Sequence, residues 1–228
     1  MSGINDFFYN LVLHLPAIVI AFSLHEYAHA RMAFALGDDT AARLGRLTLS
    51  PVRHIDPLGL LLIIVFGFGW AKPVPVNPVN FRSTVTMRQG MMLTAAAGPL
   101  TNLLLAVAGS VLLRFSLPLL FADGGQSILA EMLYYFVNLN VLLMVFNLLP
   151  VPPLDGFRVL SGVLPRGADP LLNLLERGGW VFLVVLLATD LPKYVISPVI
   201  SAISDFILNS IAFRQALIEN IVNTLAAC

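Results

Sequence analysis

Charge is scarce in this sequence: Asp, Glu, Lys and Arg make up 11% of its 228 residues, where an ordinary soluble domain carries roughly a quarter. With 58% hydrophobic residues and a mean hydropathy of +0.86, a soluble globular domain is excluded. An excess of positive charge is missing too. Thirteen Lys plus Arg balance thirteen Asp plus Glu, so no basic field exists to hold nucleic acid. Cysteine is nearly absent, and the single one, Cys228, can make neither an internal disulfide nor a Cys-based zinc cluster. Any metal must be held by His and carboxylate side chains. Residues 1–10 lack the positive n-region and small-residue cleavage site of a removed signal peptide, so the first apolar stretch is expected to stay in the mature protein.

Long uncharged runs are abundant. A bilayer core about 30 Å thick is crossed by about 20 apolar residues in a helix. Between Asp6 and Glu26 lie 19 residues without formal charge, between Arg88 and Arg114 lie 25, and between Glu131 and Asp155 lie 23. These predict three core transmembrane helices. The shorter run Pro57–Ala71 is Gly-interrupted and followed by Pro73, Pro75 and Pro78, which predicts a re-entrant segment rather than a span. Apolar stretches after Arg177, broken by Asp190, Lys193 and Asp205, predict one or two further helices. The expected fold is an all-α polytopic membrane protein, one domain over residues 1–228, with a core at about 7–162 and C-terminal helices at about 170–213. Positive residues cluster at Arg31, Arg43, Arg46 and Arg53, at Lys72, Arg82 and Arg88, and at Arg158, Arg166 and Arg177. The positive-inside rule puts these regions in the cytoplasm and the loop 116–127, which has no Lys or Arg, outside.

The first helix carries His25, Glu26 and His29 in the pattern H-E-x-x-H. Residues four apart share a helix face, so both imidazoles can reach one metal with Glu26 beside it. With four His and four Glu in the chain, a chance match arises about once in 800. Ionisable groups inside a span are costly unless they face a cavity, a partner or a metal. The bland alternative is that the histidines hydrogen-bond their neighbours and Glu26 pairs with Arg31. A catalytic zinc needs a third protein ligand and an open position for water. His14 lies about three turns before His25, roughly 16 Å away, and His54 sits in the basic loop. Asp155, in NLLPVPPLDG, is the better candidate: Pro150, Pro152 and Pro153 deny the chain helical donors just before it, which predicts extended or turned backbone lining a cavity. A plain turn aspartate before Gly156 is the alternative.

HEYAH, AGPLTN, FGWAKPVPVNP and NLLPVPPLDG together resemble the site-2 protease family of integral-membrane zinc metalloproteases, and more narrowly its compact prokaryotic branch without an inserted PDZ domain. The resemblance covers roughly residues 23–162, and the H-E-x-x-H helix paired with the L-D-G segment is its most specific part. It implies one zinc ion held by His25, His29 and Asp155, with Glu26 as general base. It implies that Asn147 sits in the active site and helps stabilise the oxyanion, an interhelical hydrogen bond being the equal alternative. Asn102 matches a motif position whose role is packing and orientation. FGWAKPVPVNP resembles the family's membrane-associated loop near the active site, and its alternating prolines predict extended, edge-like backbone. With Arg46–Leu49 it is expected to form a small β-hairpin whose exposed edge pairs with an unwound substrate segment, a Pro-rich connector being the alternative.

The expected activity is hydrolysis of peptide bonds in or near transmembrane segments of single-span membrane proteins, in the cell membrane, with the active site towards the cytoplasm. The rival readings are a metal transporter, for which paired internal repeats are missing, and a non-catalytic zinc-binding membrane module, for which four protein ligands would be usual.

Overall fold

The computed structural model describes residues 2–66, 69–120 and 127–212. Eight helices follow in order: α1 Ser2–Ala35, α2 Thr40–Arg43, α3 Pro57–Phe66, α4 Met87–Leu120, α5 Ile128–Asn147, α6 Asp155–Val163, α7 Asp169–Ala188 and α8 Leu191–Ile207. No β-strand occurs among the described residues. Among the described residues four segments are long and apolar enough to cross a membrane: Leu11–Ala35, Met87–Ser116, Ile128–Asn147 and Arg166–Ala188. The expected all-α polytopic architecture is thus observed, with two C-terminal helices, the chain breaking at Thr189 and Asp190 between them. Of the loop 116–127 expected outside, residues 116–120 continue α4 and residues 121–126 lie outside the described residues.

Small residues let the central helices approach closely. Ala17 and Ala21 of α1 pack with Leu139 and Leu143 of α5, while Ala106 and Leu113 of α4 meet Ala130, Val137 and Val141 of α5 and Ile207 at the end of α8. The outer faces are equally apolar. On α7, Trp180, Val181, Phe182, Val184 and Val185 are each more than half exposed, a surface stable only where lipid is the solvent. The chain is a multi-pass membrane protein.

α1 ends in a Schellman turn, with Gly37 at φ +111°, its N–H on the Phe34 carbonyl and the Asp38 N–H on the Ala33 carbonyl. Asp38, fully buried, then accepts from the Thr40 amide at 3.0 Å and the Asn77 amide at 2.7 Å, and from the Asn80 side chain at 3.0 Å. This ties the Pro-rich segment to the end of α1. The other end of that segment closes the loop that carries α3, since Ile55 and Ala71 form a single antiparallel bridge on either side of that helix. The expected hairpin with Arg46–Leu49 does not form. Pro73, Pro75 and Pro78 have no N–H to give a ladder, and the Arg46 guanidinium takes the Lys72 and Pro73 carbonyls instead.

Candidate metal centre

His25 and His29 lie on one face of α1, with their Nε2 atoms 3.0 Å apart. α6 supplies the third group. The Pro150–Leu154 turn ends in extended backbone at Leu154, so that Asp155 opens α6 with its Oδ2 atom 3.2 Å from both Nε2 atoms. The aspartate is therefore the first residue of a helix rather than a free turn residue. Both histidines are buried, at 5% and 8% exposure.

The hydrogen bonds behind the rings decide what the facing nitrogens can do. The Phe136 carbonyl can only accept, so Asn140 turns its amide nitrogen to it at 2.8 Å and its oxygen towards Asn102. Asn102 donates to that oxygen at 2.9 Å and presents its own oxygen to His25 Nδ1 at 2.6 Å. His29 Nδ1 donates to the Thr94 carbonyl at 2.7 Å. Each neutral imidazole thus carries its proton on Nδ1 and points a lone pair from Nε2 at the other ring and at Asp155. Three buried acceptors converge, and Asp155 Oδ2 has no hydrogen bond of its own. Such a cluster fits a cation. Two imidazoles and a carboxylate are the donor set of a catalytic zinc, with outward ring nitrogens bonded as metal-binding histidines require. Among the described residues no other group of three or more metal-binding side chains converges in this way.

Glu26, 9% exposed, accepts the Val74 N–H on Oε2 at 3.0 Å. Asn147 is the last residue of α5 and its amide donates to the Leu143 carbonyl of the same helix at 2.9 Å, so it is not drawn into the His–His–Asp cluster in this conformation. His14 stacks on Tyr135 with ring centroids 3.7 Å apart, and His54, fully buried, contacts the Thr48 carbonyl at 2.7 Å. The expected substrate edge is also taken. Between Lys72 and Pro75 the two amide hydrogens that exist are both spent inside the protein, on the His54 carbonyl and on Glu26.

Three contributors escaped the sequence reading. The Thr94 carbonyl is backbone and leaves no side-chain signal. Gly98 brings α4 against the imidazoles: a Cβ there would lie 2.5 Å from His29 Nε2 and 2.6 Å from His25 Cε1. Asn140, fully buried in a largely apolar span, carried the one usable signal, a polar residue at membrane depth.

Two buried histidines of the first spanning helix and a partly buried aspartate that opens α6 thus make a candidate metal centre in a multi-pass membrane protein. Residues 119–188 match the model of Peptidase family M50. "Putative zinc metalloprotease YwhC" of Bacillus subtilis is 41% identical over 197 residues, 84% of this chain and 87% of that protein. Rip2 of Mycolicibacterium smegmatis, with the same form of name, is 31% identical over 78% of this chain and 67% of its own length. MJ0611 of Methanocaldococcus jannaschii, also so named, is 32% identical over 66% of this chain and 70% of its own. The chain belongs to the M50 peptidases, the site-2 protease family. No solved structure matches it significantly.

Proposed function

We propose that the chain is an intramembrane zinc metalloprotease that hydrolyses peptide bonds in or near the transmembrane segments of single-span membrane proteins. The observation that carries this reading is the convergence of His25, His29 and Asp155, with Glu26 following His25 directly in sequence and buried like the two histidines. Those three side chains would hold one zinc ion, which when bound lowers the pKa of a water and polarises a carbonyl. Glu26 accepts the proton of the attacking water on its carboxylate and returns it to the leaving nitrogen. The Val74 N–H fixes one carboxylate oxygen for that task. Asn147 donates to the developing oxyanion once its amide leaves the Leu143 carbonyl. The lipid-facing apolar surface and the M50 membership favour a substrate delivered from the bilayer. The positive clusters around Arg43, Arg46, Arg82 and Arg88 lie on the segments that follow α1 and precede α4, which favours an active site near the cytoplasmic leaflet.

The test is cleavage of a panel of single-span model substrates co-expressed with wild type or Glu26→Gln, with zinc content measured on both purified proteins. Wild type alone should cleave while both hold zinc. A Glu26→Gln protein that cleaves at the wild-type rate, or a wild type without zinc, would overturn the assignment.

A further inference from the structure

Arg46 is 7% exposed and forms no salt bridge of its own within 4 Å among the described residues. A guanidinium buried without a carboxylate is costly unless its donors are used, and here both terminal nitrogens reach carbonyl acceptors. Its chain position is set by a Schellman turn at the end of α2: Gly45 has φ +66°, its N–H bonds the Ala42 carbonyl at 3.0 Å, and the Arg46 N–H bonds the Ala41 carbonyl at 2.8 Å. From there the side chain reaches the Pro-rich segment. One terminal nitrogen donates to the Lys72 carbonyl at 2.6 Å and the other to the Pro73 carbonyl at 3.2 Å. One planar fork therefore grips two consecutive carbonyls, a geometry that a single ammonium does not reproduce.

The segment needs that grip. Pro73 and Pro75 cannot donate to any ladder, and among the described residues the one backbone hydrogen bond from Lys72–Pro75 to another segment is the Lys72 N–H to the His54 carbonyl at 2.8 Å. The residue directly after the gripped pair is Val74, whose N–H holds Glu26. We propose that Arg46 is a positioning residue for hydrolysis: it clasps Lys72–Pro73 so that the Val74 amide holds the Glu26 carboxylate in place. This rests on the reading of Glu26 as the base, and it adds a residue of the loop after α2 to the machinery. The attraction between Arg46 and Glu26 also opposes the fall in guanidinium pKa that burial causes.

Lys72 and Val74 carry the only amide hydrogens between residues 72 and 75, so hydrogen exchange of the full-length protein in detergent reads the clasp directly. In wild type both amides should exchange slowly. Arg46→Gln and Arg46→Lys should each speed exchange at both by at least about tenfold while zinc content and helix content hold. On a single-span substrate that wild type cleaves, kcat should fall roughly ten- to a hundredfold, the range expected for a small misplacement of a reacting group, with KM within about twofold. Val74→Pro removes the amide that holds Glu26 and should reproduce the loss, and the Arg46→Gln, Val74→Pro double variant should be no slower than Val74→Pro alone. Wild-type exchange in Arg46→Gln, full activity restored by Arg46→Lys, additive losses in the double variant, or zinc lost in step with activity would each overturn the clasp. Glu26→Gln in the same assay keeps the two ideas apart: cleavage by that variant removes the base assignment, whereas the exchange rates still judge whether Arg46 holds the segment.

Discussion

His25 Nδ1 sits 2.6 Å from Asn102 Oδ1, and the Asn102 amide is fixed in that sense by Asn140 behind it. A residue on α4, backed by one on α5, thereby chooses the tautomer of a residue on α1. Removing such an outer partner typically costs ten- to a hundredfold in metal affinity. Asn102→Leu should lower zinc affinity by about that factor, measured by competition with a chelator. Asn102→Asp, which keeps an acceptor facing Nδ1, should retain most of it. Equal affinities in wild type and Asn102→Leu would remove the tautomer argument.

Gly98 is predicted to be intolerant of a single methyl group. A Cβ at 2.5 Å from His29 Nε2 and Cε1 is closer than a carbon atom can stand, so either α4 or the imidazoles must move. Alanine is the better helix former by about 1 kcal/mol, so α4 itself should not suffer. Gly98→Ala should therefore keep its helix content and its membrane insertion while zinc stoichiometry and cleavage fall together. Full zinc occupancy in this variant would mean that the helices part at no cost to the site.

The parts legible in the sequence were those that depend on local spacing. His25 and His29 share a face because helices repeat every 3.6 residues, and uncharged runs marked three of the four spanning segments, the fourth showing only as an apolar stretch after Arg177. Asp155 was reachable through topology, because the prolines before it forbade regular helix until Leu154. The rest depends on how helices cross. Thr94 and Gly98 matter because α4 passes the imidazoles at that height, and no pattern within α4 states what it will touch. The prolines after Trp70 announced backbone outside any helix, but the partner of that backbone was a side chain, Arg46, rather than a strand. Counted as a cytoplasmic charge, Arg46 gave no hint that it would be buried.

Asp38 offers a prediction about stability and pH. Burial raises its carboxyl pKa, but the Thr40 and Asn80 side chains and the Asn77 and Thr40 amides outweigh it and hold the group below its ordinary value. A depressed carboxylate pKa stabilises the fold above the unfolded-state value, and that stabilisation is lost as pH falls through the folded-state value. Asp38→Ala should thus cost roughly 3 kcal/mol near neutral pH, the scale of several buried acceptors lost at once. The gap between wild-type and variant melting temperatures should narrow as pH is lowered from about 6 towards 3. A gap that stays constant across that range would show that the charge on Asp38 plays no part in pinning Asn77 and Asn80 to the end of α1.

Asn147 separates an oxyanion donor from a helix-terminal hydrogen bond. Its amide now serves the Leu143 carbonyl four residues back, a bond that solvent or a neighbouring group can replace at the end of α5. Losing one oxyanion donor costs about a hundred- to a thousandfold in kcat, whereas losing a replaceable end bond leaves kcat unchanged and costs about 1 kcal/mol of stability. Asn147→Ala is expected to keep zinc and fold while kcat on a cleaved single-span substrate drops by at least tenfold with little change in KM, because the interaction is made only as the carbonyl becomes an oxyanion. Asn147→Asp, which presents acceptors alone at neutral pH, should be no better than alanine. A wild-type kcat in either variant would confine Asn147 to closing the last turn of α5.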